Sequence, residues 1–333
     1  MTTPTTLAGA PTADTTSPPA ARRPGPRTAA LLAAVVVAAV AVPWTVDAYT
    51  VSIASTALVL ATLAMSAQLV TGIAGLPTLG QAAYLGVGAY TAALLANTGL
   101  SNGPLQLLAA AGAGAGAAVL SAPLVLRARG TTVLMVTFAL GELARTVASQ
   151  WATVTGGDDG LHTPPVTVWP GAAPLRAEGY IYLYVLACFL CLAAAVAVLL
   201  RTRLALVLHG AADHEARVRA LGHHVTGSLL AGWAAAGALA GAGGALLIAA
   251  NHYVSPADMH LDVSALALLA AAIGVGSMRG AVAGAIGIVA IRDLVGAETG
   301  GHAHALVGAA FVVIAYRRPV TAWWHARTAR RRP

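Results

Sequence analysis

The chain has 333 residues, a formal net charge of +7, an apolar fraction of 58% and a charged fraction of only 9%. An ordinary soluble domain is about 25% charged, so most of the surface of this protein must face lipid. The composition excludes a disordered chain, a collagen-like repeat and a disulfide-rich secreted scaffold. The sequence therefore predicts a polytopic membrane protein.

All 19 basic residues are Arg, and Lys does not occur. A Walker A loop needs a Lys whose ammonium group reaches the β and γ phosphates, so the sequence predicts no nucleotide site of its own. Schiff-base chemistry on Lys is excluded for the same reason. The positive charge is expected from Arg residues in cytoplasmic loops rather than from a nucleic-acid interface. We expect neither an enzyme nor a nucleic-acid-binding protein.

A helix that crosses a bilayer needs about 20 apolar residues. By this measure the chain has ten candidate spans, of which the eighth is short. They lie near residues 29–46, 50–70, 80–97, 105–126, 131–151, 180–200, 228–250, 264–277, 280–296 and 303–316. Residues 1–28 are predicted to be a disordered cytoplasmic tail, residues 29–316 the transmembrane domain and residues 317–333 an Arg-rich cytoplasmic tail.

The Arg distribution supports this order of spans. With the N-terminus inside, 16 of the 19 Arg residues fall in cytoplasmic segments, as the positive-inside rule requires. Only Arg176 lies in an outer loop, while Arg145 and Arg292 lie within spans. The fold class is therefore predicted to be all-α: a transmembrane helical bundle of about ten spans with both termini cytoplasmic.

Two long polar loops interrupt the bundle, residues 152–179 outside and residues 201–227 inside. The outer loop contains the sequence TGGDDGL, whose Gly-rich turn carries two carboxylates. It could meet a partner or the entry of a pathway, or it could be a hydrated turn. Its candidate residues are Thr155, Gly156, Gly157, Asp158 and Gly160.

The inner loop is predicted to contain a short amphipathic helix. Asp213 precedes Arg217 by four residues, and Glu215 precedes Arg219 by the same interval. An acid four residues before a base stabilises a helix, and Gly222 is a typical helix stop. The helix could dock a soluble partner or simply connect two spans.

Glu142 and Arg145 lie three residues apart on one predicted span. Charges within the bilayer are costly, and pairing within one helix lowers that cost. A proton relay would need further carboxylates in neighbouring spans, and Asp293 near an outer end is the one candidate. We interpret Glu142 and Arg145 as a structural pair. No metal site is expected, because the two histidine pairs of the loops lack further ligands.

Four segments, taken together and in order, resemble the branched-chain amino acid type of ABC transporter permease. They begin with TGIAGLPTLGQAAYLGVGAYTAALLA at 71–96 and RGTTVLMVTFALGELARTVASQW with TGGDDGL within 129–161. They continue with HGAADHEARVRALGHHVTGSLLAGWAAAGALAGAGGALL at 209–247 and YVSPADMHLDVSALALLAAAIGVGSMRGAVAGAIG at 253–287. The similarity is collinear over about residues 50 to 316.

The resemblance implies the multi-pass subunit of a binding-protein-dependent importer in the plasma (inner) membrane. Its partners would be ABC ATPase subunits, a second permease subunit (a paralogue or a copy), an extracytoplasmic binding protein and the lipid bilayer. The chain itself would bind no cofactor, and ATP and Mg would be used by the ATPase subunits. The substrate would be a branched-chain or other hydrophobic amino acid, or a related small solute.

The resemblance also implies roles for two sets of residues. The segment that couples to the ATPase would comprise Asp213, Glu215, Arg217, Arg219, Leu221 and Gly222. The segment next to the pathway would comprise Gly75, Gly80, Gln81, Tyr84, Gly86, Gly88 and Tyr90, where glycine permits close or irregular helix packing. The polar side chains of this second set could line a pathway or satisfy one another between helices.

An ion-coupled secondary transporter of a small solute is the alternative function. The shortage of carboxylates within the spans and the folded inner loop weigh against it. A membrane-embedded enzyme would need a catalytic cluster at one membrane face, and the sequence contains no HExxH and no G-x-S-x-G motif.

Overall fold

A computed structural model describes residues 26–128, 130–169, 174–274 and 276–296. The chain divides into two units, Met1–Ala39 and Val40–Pro333, and the described part of the first unit is helical. The helices are α1 Pro26–Thr45, α2 Ala48–Gln68, α3 Gln81–Asn97, α4 Gly103–Val125, α5 Thr131–Gln150, α6 Ala152–Thr155, α7 Glu178–Leu199, α8 Arg203–Ala220, α9 Val225–Asn251, α10 Leu261–Gly274 and α11 Met278–Gly296.

The all-α class is confirmed, and helices occupy nine of the ten stretches predicted as spans. The tenth stretch, 303–316, and the C-terminal tail lie outside the described residues, as does the N-terminal tail up to residue 25. Within the described part, five helical segments are long and apolar enough to cross a membrane. They are Ala48–Ile73, Gly103–Val125, Thr131–Gln150, Glu178–Leu199 and Val225–Asn251. The count of about ten spans and the cytoplasmic position of both termini stay predictions.

Helix α9 packs against α2, α3 and α4, and glycines make this packing possible. A Cβ atom on Gly88 of α3 would collide with the backbone of Gly241 on α9. A Cβ on Gly114 of α4 would likewise collide with the carbonyl oxygen of Gly237 on α9. Small residues let helix backbones approach this closely, so van der Waals contact replaces the side-chain layer. Helices α3 and α4 therefore each meet α9 backbone to backbone.

Helix α2 continues into a π-helical turn, Leu69–Ile73, and a buried amide stands at the junction. In the orientation that its neighbours require, the Gln68 amide nitrogen donates to the carbonyl oxygen of Ala271 over 2.9 Å. The amide oxygen accepts from the backbone N–H groups of Gly276 and Ser277 at 3.2 and 3.3 Å. Gln68 thus joins the end of α2 to the turn between α10 and α11.

Helix α8 forms most of the loop predicted to be cytoplasmic, and it is kinked. His214 has φ −152° and ψ 87°, which breaks the helix between its two halves. The first half packs on its neighbours, with the side chain of Leu208 buried and facing Gly232 of α9. Gly222 has φ +84° just after the helix, so it acts as the helix stop that the sequence predicts.

Two short segments that are far apart in the chain come together beyond the ends of α5 and α9. Strand β1, Leu161–His162, pairs antiparallel with β2, Tyr253–Val254. A 3-10 turn precedes β1 (Gly157–Asp159) and another follows β2 (Pro256–Met259). The second turn packs against α3 and α5. We call residues 155–160 together with 253–259 the roof.

Candidate functional site

A cavity of about 550 Å³ lies along α3, between this helix, α4 and α5, with the roof at one end. Its lining is mostly apolar, with a few polar groups. The lining residues are Gly80, Ala83, Tyr84, Val87, Tyr90, Thr91, Leu94, Ala117, Leu120, Ser121, Leu124, Leu140, Leu143, Ala144, Val147, Ala148, Trp151, Val154, Thr155 and Met259. This size and this lining are typical of a site for a small organic molecule.

The floor of the cavity is formed by Tyr84 of α3 and Ser121 of α4. Their hydroxyl oxygens are 2.6 Å apart, and Trp233 of α9 donates its indole N–H to Tyr84 over 3.1 Å. The Tyr84 and Trp233 rings are nearly perpendicular, with centroids 6.2 Å apart. The polar groups of the floor are therefore satisfied by one another, and the edge-to-face ring contact adds to their stability.

One side of the cavity is open. Leu120 of α4 and Leu143 of α5 line it, yet they remain 81% and 59% exposed. Trp151, at the end of α5, lines it as well and is 56% exposed. The cavity is therefore a groove between α4 and α5 with an apolar rim.

Near the roof, the cavity contains a polar group without a partner. Tyr90 of α3 is 6% exposed and lines the cavity, and no described residue hydrogen-bonds its hydroxyl. Asp158 and Asp258 belong to the roof, and the turn that carries Asp258 packs against α3. Met259, the neighbour of Asp258, lines the cavity and packs against Gly86 of α3. A buried hydroxyl without a partner is unusual, and it marks this end of the cavity as a place for a ligand.

Asp258 is held by a capping box. Its Oδ2 atom accepts hydrogen bonds from the backbone N–H and the hydroxyl of Ser255, at 2.9 and 3.4 Å. Burial raises the pKa of the Asp258 carboxyl above its ordinary value, and the two bonds from Ser255 partly oppose this rise. Across the roof, the Tyr253 hydroxyl donates to the carbonyl oxygen of Asp159 over 2.9 Å, which holds the two chain segments together.

Of the residues predicted to lie next to the pathway, some line the cavity and the others do not. Gly80, Tyr84 and Tyr90 line the cavity. Gln81 does not: its Oε1 atom accepts a hydrogen bond from Ser66 of α2 over 2.7 Å, so it joins two helices. The remaining residues of the set are glycines at close contacts: Gly75 faces Ala212 of α8, Gly86 faces Met259 and Gly88 faces Gly241.

The residues of the outer loop form part of the roof. Thr155 lines the cavity, and its hydroxyl donates to the carbonyl oxygen of Ala148 over 2.6 Å. Gly156, Gly157 and Gly160 all have positive φ, which Gly adopts without strain. Asp158 is exposed. The structure therefore places this turn beside the cavity and against the start of the segment 253–259.

The residues predicted to couple to an ATPase lie on the second half of α8 and just after it. Glu215 and Arg219 form an ion pair at 2.7 Å, whereas the kink at His214 separates Asp213 from Arg217. Leu221 is 74% exposed. The first half of α8 carries Ala212, which contacts Gly75 at the start of the segment that leads to α3. The second half of α8 is thus polar and exposed, whereas its first half packs against neighbouring segments.

Glu142 and Arg145 of α5 form an ion pair at 2.9 Å, and neither residue lines the cavity. Their side chains are about a third exposed, at 32% and 34%. Within the described part of the chain, no three His, Cys, Asp or Glu side chains come together to hold a metal ion.

Sequence reasoning did not single out Trp233, Ser121, Gln68 or Asp258. A signal existed for Asp258, because Ser255 and Asp258 have the S-x-x-D spacing of a capping box. Trp233 is the one aromatic residue in the small-residue helix α9, which is a hint of a specific partner. Nothing in the sequence indicates that Gln68 faces the turn between α10 and α11.

Comparison with known proteins gives one consistent result. The family model described as the branched-chain amino acid transport system / permease component matches residues 49–315. The high-affinity branched-chain amino acid transport system permease protein LivM of Escherichia coli K12 is 30% identical over 288 residues, covering 79% of this chain and 67% of LivM. LivM of Salmonella typhimurium LT2 is 29% identical over 287 residues, with the same coverage. No solved structure matches the chain significantly.

Proposed function

Because the chain belongs to the family of branched-chain amino acid transport system permease components, we propose that it is the membrane-spanning subunit of an ABC importer in the plasma membrane. Its substrate is a branched-chain or other hydrophobic amino acid, or a related small solute. Separate ATPase subunits supply the energy, using ATP and Mg. A second permease subunit, either a copy or a paralogue, and an extracytoplasmic binding protein complete the transporter.

The cavity along α3 is the observation that carries this proposal. It extends from Gly80 to Leu94 of α3, which corresponds to about 20 Å of helix. Its apolar lining suits an aliphatic side chain, and its polar groups lie at the floor and near the roof. A groove that follows most of the length of α3, between two helices that are long enough to cross a membrane, can serve as part of a translocation pathway.

A bulky side chain in the groove tests whether it is the pathway. Val147 lines the groove and is 48% exposed, so Val147→Trp fills the space without opening the core. Met135 is 71% exposed on the same helix and does not line the groove, so Met135→Trp is the matched control. We expect uptake of radiolabelled L-leucine to fall about tenfold or more in the first variant only. Equal uptake by both variants would contradict the proposal.

The second half of α8 is proposed as the element that docks the ATPase. The residues concerned are Asp213, Glu215, Arg217, Arg219, Leu221 and Gly222, of which Glu215 is half-buried and the others are exposed. The first half of α8 packs on α9 through Leu208 and reaches Gly75 through Ala212. A rigid-body movement of α8 would therefore be passed to α9 and to the segment before α3.

Charge reversal at Glu215 tests the docking role. We expect Glu215→Arg to abolish co-purification of the ABC ATPase from detergent, as identified by mass spectrometry. Glu215→Gln breaks the ion pair with Arg219 without adding charge and is expected to retain most of the ATPase. Glu178→Arg makes the same reversal at an exposed position at the start of α7 and should retain all of it. Retention of the ATPase by Glu215→Arg would refute the docking role.

A further inference from the structure

We propose that the roof end of the cavity is a subsite for the ammonium group of the transported solute, formed by the hydroxyl of Tyr90 and the carboxylate of Asp258. The aliphatic part of the solute lies in the apolar groove between α4 and α5. This inference rests on the proposed function and adds the chemical group that the pathway recognises. It also specifies that this subsite does not recognise the carboxylate of the solute.

Tyr90 carries a buried hydroxyl without a partner among the described residues. Its side chain is almost wholly buried and lines the cavity, and no described residue hydrogen-bonds its hydroxyl. Buried polar groups in folded proteins are nearly always paired. In contrast, the hydroxyl of Tyr84, which lies earlier on α3, is paired with both Ser121 and Trp233. The unpaired oxygen of Tyr90 is therefore free to accept a hydrogen bond from a ligand.

The roof places carboxylates near Tyr90. Asp158 and Asp258 both belong to the roof, the turn Pro256–Met259 packs against α3, and Met259 faces Gly86, about one helical turn before Tyr90. Asp258 is half-buried, and both of its recorded hydrogen bonds go to Oδ2, so Oδ1 accepts none from the described residues. No ion pair joins either carboxylate to an Arg or His of the described chain. Negative charge without a partner at the end of an apolar groove is complementary to a cation.

The cavity lacks a cation that could pair with a carboxylate. None of the described residues that line it is Arg or His. Arg145 of α5 follows the lining residue Ala144 in the chain, but it does not line the cavity itself. It is paired with Glu142, which does not line the cavity either. None of the lining residues is Asp or Glu either, so the charge at this end of the groove comes from the roof, which contains Asp158, Asp159 and Asp258 and no Arg or His. This asymmetry leads to a sharp prediction for ligands.

Three small molecules of matched aliphatic structure test the subsite. We expect 3-methylbutylamine and L-leucine to bind the purified full chain in detergent and to quench or shift the tryptophan fluorescence, since Trp151 lines the groove. We expect 4-methylpentanoate, which lacks the ammonium group, to bind at least about tenfold more weakly. Equal binding of the acid and the amine would overturn the proposal.

Two nearly isosteric variants locate the site. Tyr90→Phe and Asp258→Asn are each expected to weaken binding of 3-methylbutylamine by about tenfold or more. Tyr180→Phe and Asp262→Asn make the same changes at exposed positions and are expected to bind the amine like the wild type. If both Tyr90→Phe and Asp258→Asn bind the amine within about twofold of the wild type, the subsite is elsewhere and the proposal fails.

The failure of this inference is distinguishable from failure of the proposed function. ATPase co-purification and uptake do not depend on where the ammonium group binds. A chain that retains the ATPase but binds the acid as well as the amine refutes only the subsite. A chain that binds the amine through Tyr90 and Asp258 but never retains an ATPase supports the subsite and refutes the importer.

Discussion

The indole N–H of Trp233 on α9 donates a hydrogen bond to the hydroxyl of Tyr84 on α3 over 3.1 Å. The Tyr84 oxygen also lies 2.6 Å from the hydroxyl of Ser121 on α4. Three helices are thus joined at the floor of the cavity, within a region where the rest of the packing is between small residues. These hydrogen bonds hold the side chain of Tyr84 in place at the floor of the cavity.

Removing the Tyr84 hydroxyl tests the network. We expect Tyr84→Phe to lower the free energy of unfolding by about 0.6 kcal/mol, the usual size of an interhelical hydrogen bond in a membrane protein. Denaturation in mixed SDS micelles measures the change, with the exposed Tyr180→Phe as control. A double-mutant cycle with Ser121→Ala should give a non-zero coupling energy, and strictly additive effects would contradict a shared network.

Two glycines of α4, two residues apart, should respond oppositely to alanine. A methyl group on Gly114 would collide with the carbonyl oxygen of Gly237, so Gly114→Ala should cost about 1–3 kcal/mol. A methyl group on Gly116 meets no atom within 4 Å, so Gly116→Ala should change stability by less than about 0.5 kcal/mol. Both values come from the same unfolding assay. Similar losses in the two variants would be inconsistent with the close packing of α4 on α9.

The buried amide of Gln68 should be important for stability. Gln68→Leu removes its bonds to the backbone of Ala271, Gly276 and Ser277, and we expect a loss of about 1–3 kcal/mol. Gln150→Leu, at the exposed end of α5, is the control and should have little effect. If thermal unfolding of the Gln68→Leu variant matched that of the control, the link between α2 and the α10–α11 turn would be unimportant.

Asp258 should give the protein a characteristic dependence on pH. Burial raises the pKa of its carboxyl above the ordinary 3.8, so the folded state holds this proton more tightly than the unfolded state. Stability from this residue is therefore lost as the pH rises from that ordinary value through the raised pKa. Asp258→Asn lacks this contribution. The Tm of the wild type minus that of the variant should fall as the pH rises above about 4, and a rising difference would contradict the assignment.

Local sequence patterns predicted the membrane helices, because each of these helices is a continuous apolar stretch of suitable length in the sequence. The stretch 105–126 became α4, and the Glu215–Arg219 spacing correctly indicated the second half of α8. The kink at His214 and the π-helical turn after Gln68 were missed. The π-helical turn follows Gln68, whose amide bonds to the turn between α10 and α11, and a local pattern does not contain such distant contacts.

The site could be predicted only in part. Tyr84 and Tyr90 were selected because they are polar side chains in a Gly-rich helix, and both line the cavity. Asp258 does not itself line the cavity, and it was missed because the roof is assembled by the pairing of β1 with β2, which joins residues about 90 positions apart. Gln81 belongs to the same Gly-rich segment, yet its orientation toward Ser66 depends on the packing of α2 against α3.

ATP dependence of transport is the most direct test of the account. The chain and its co-purifying partners are reconstituted in liposomes, and L-leucine delivered to the opposite side by the binding protein is measured with and without ATP on the ATPase side. The account predicts uptake that requires ATP and persists when ionophores collapse the H⁺ and Na⁺ gradients. Uptake by the chain alone, driven by an ion gradient without ATP, would show a secondary transporter instead.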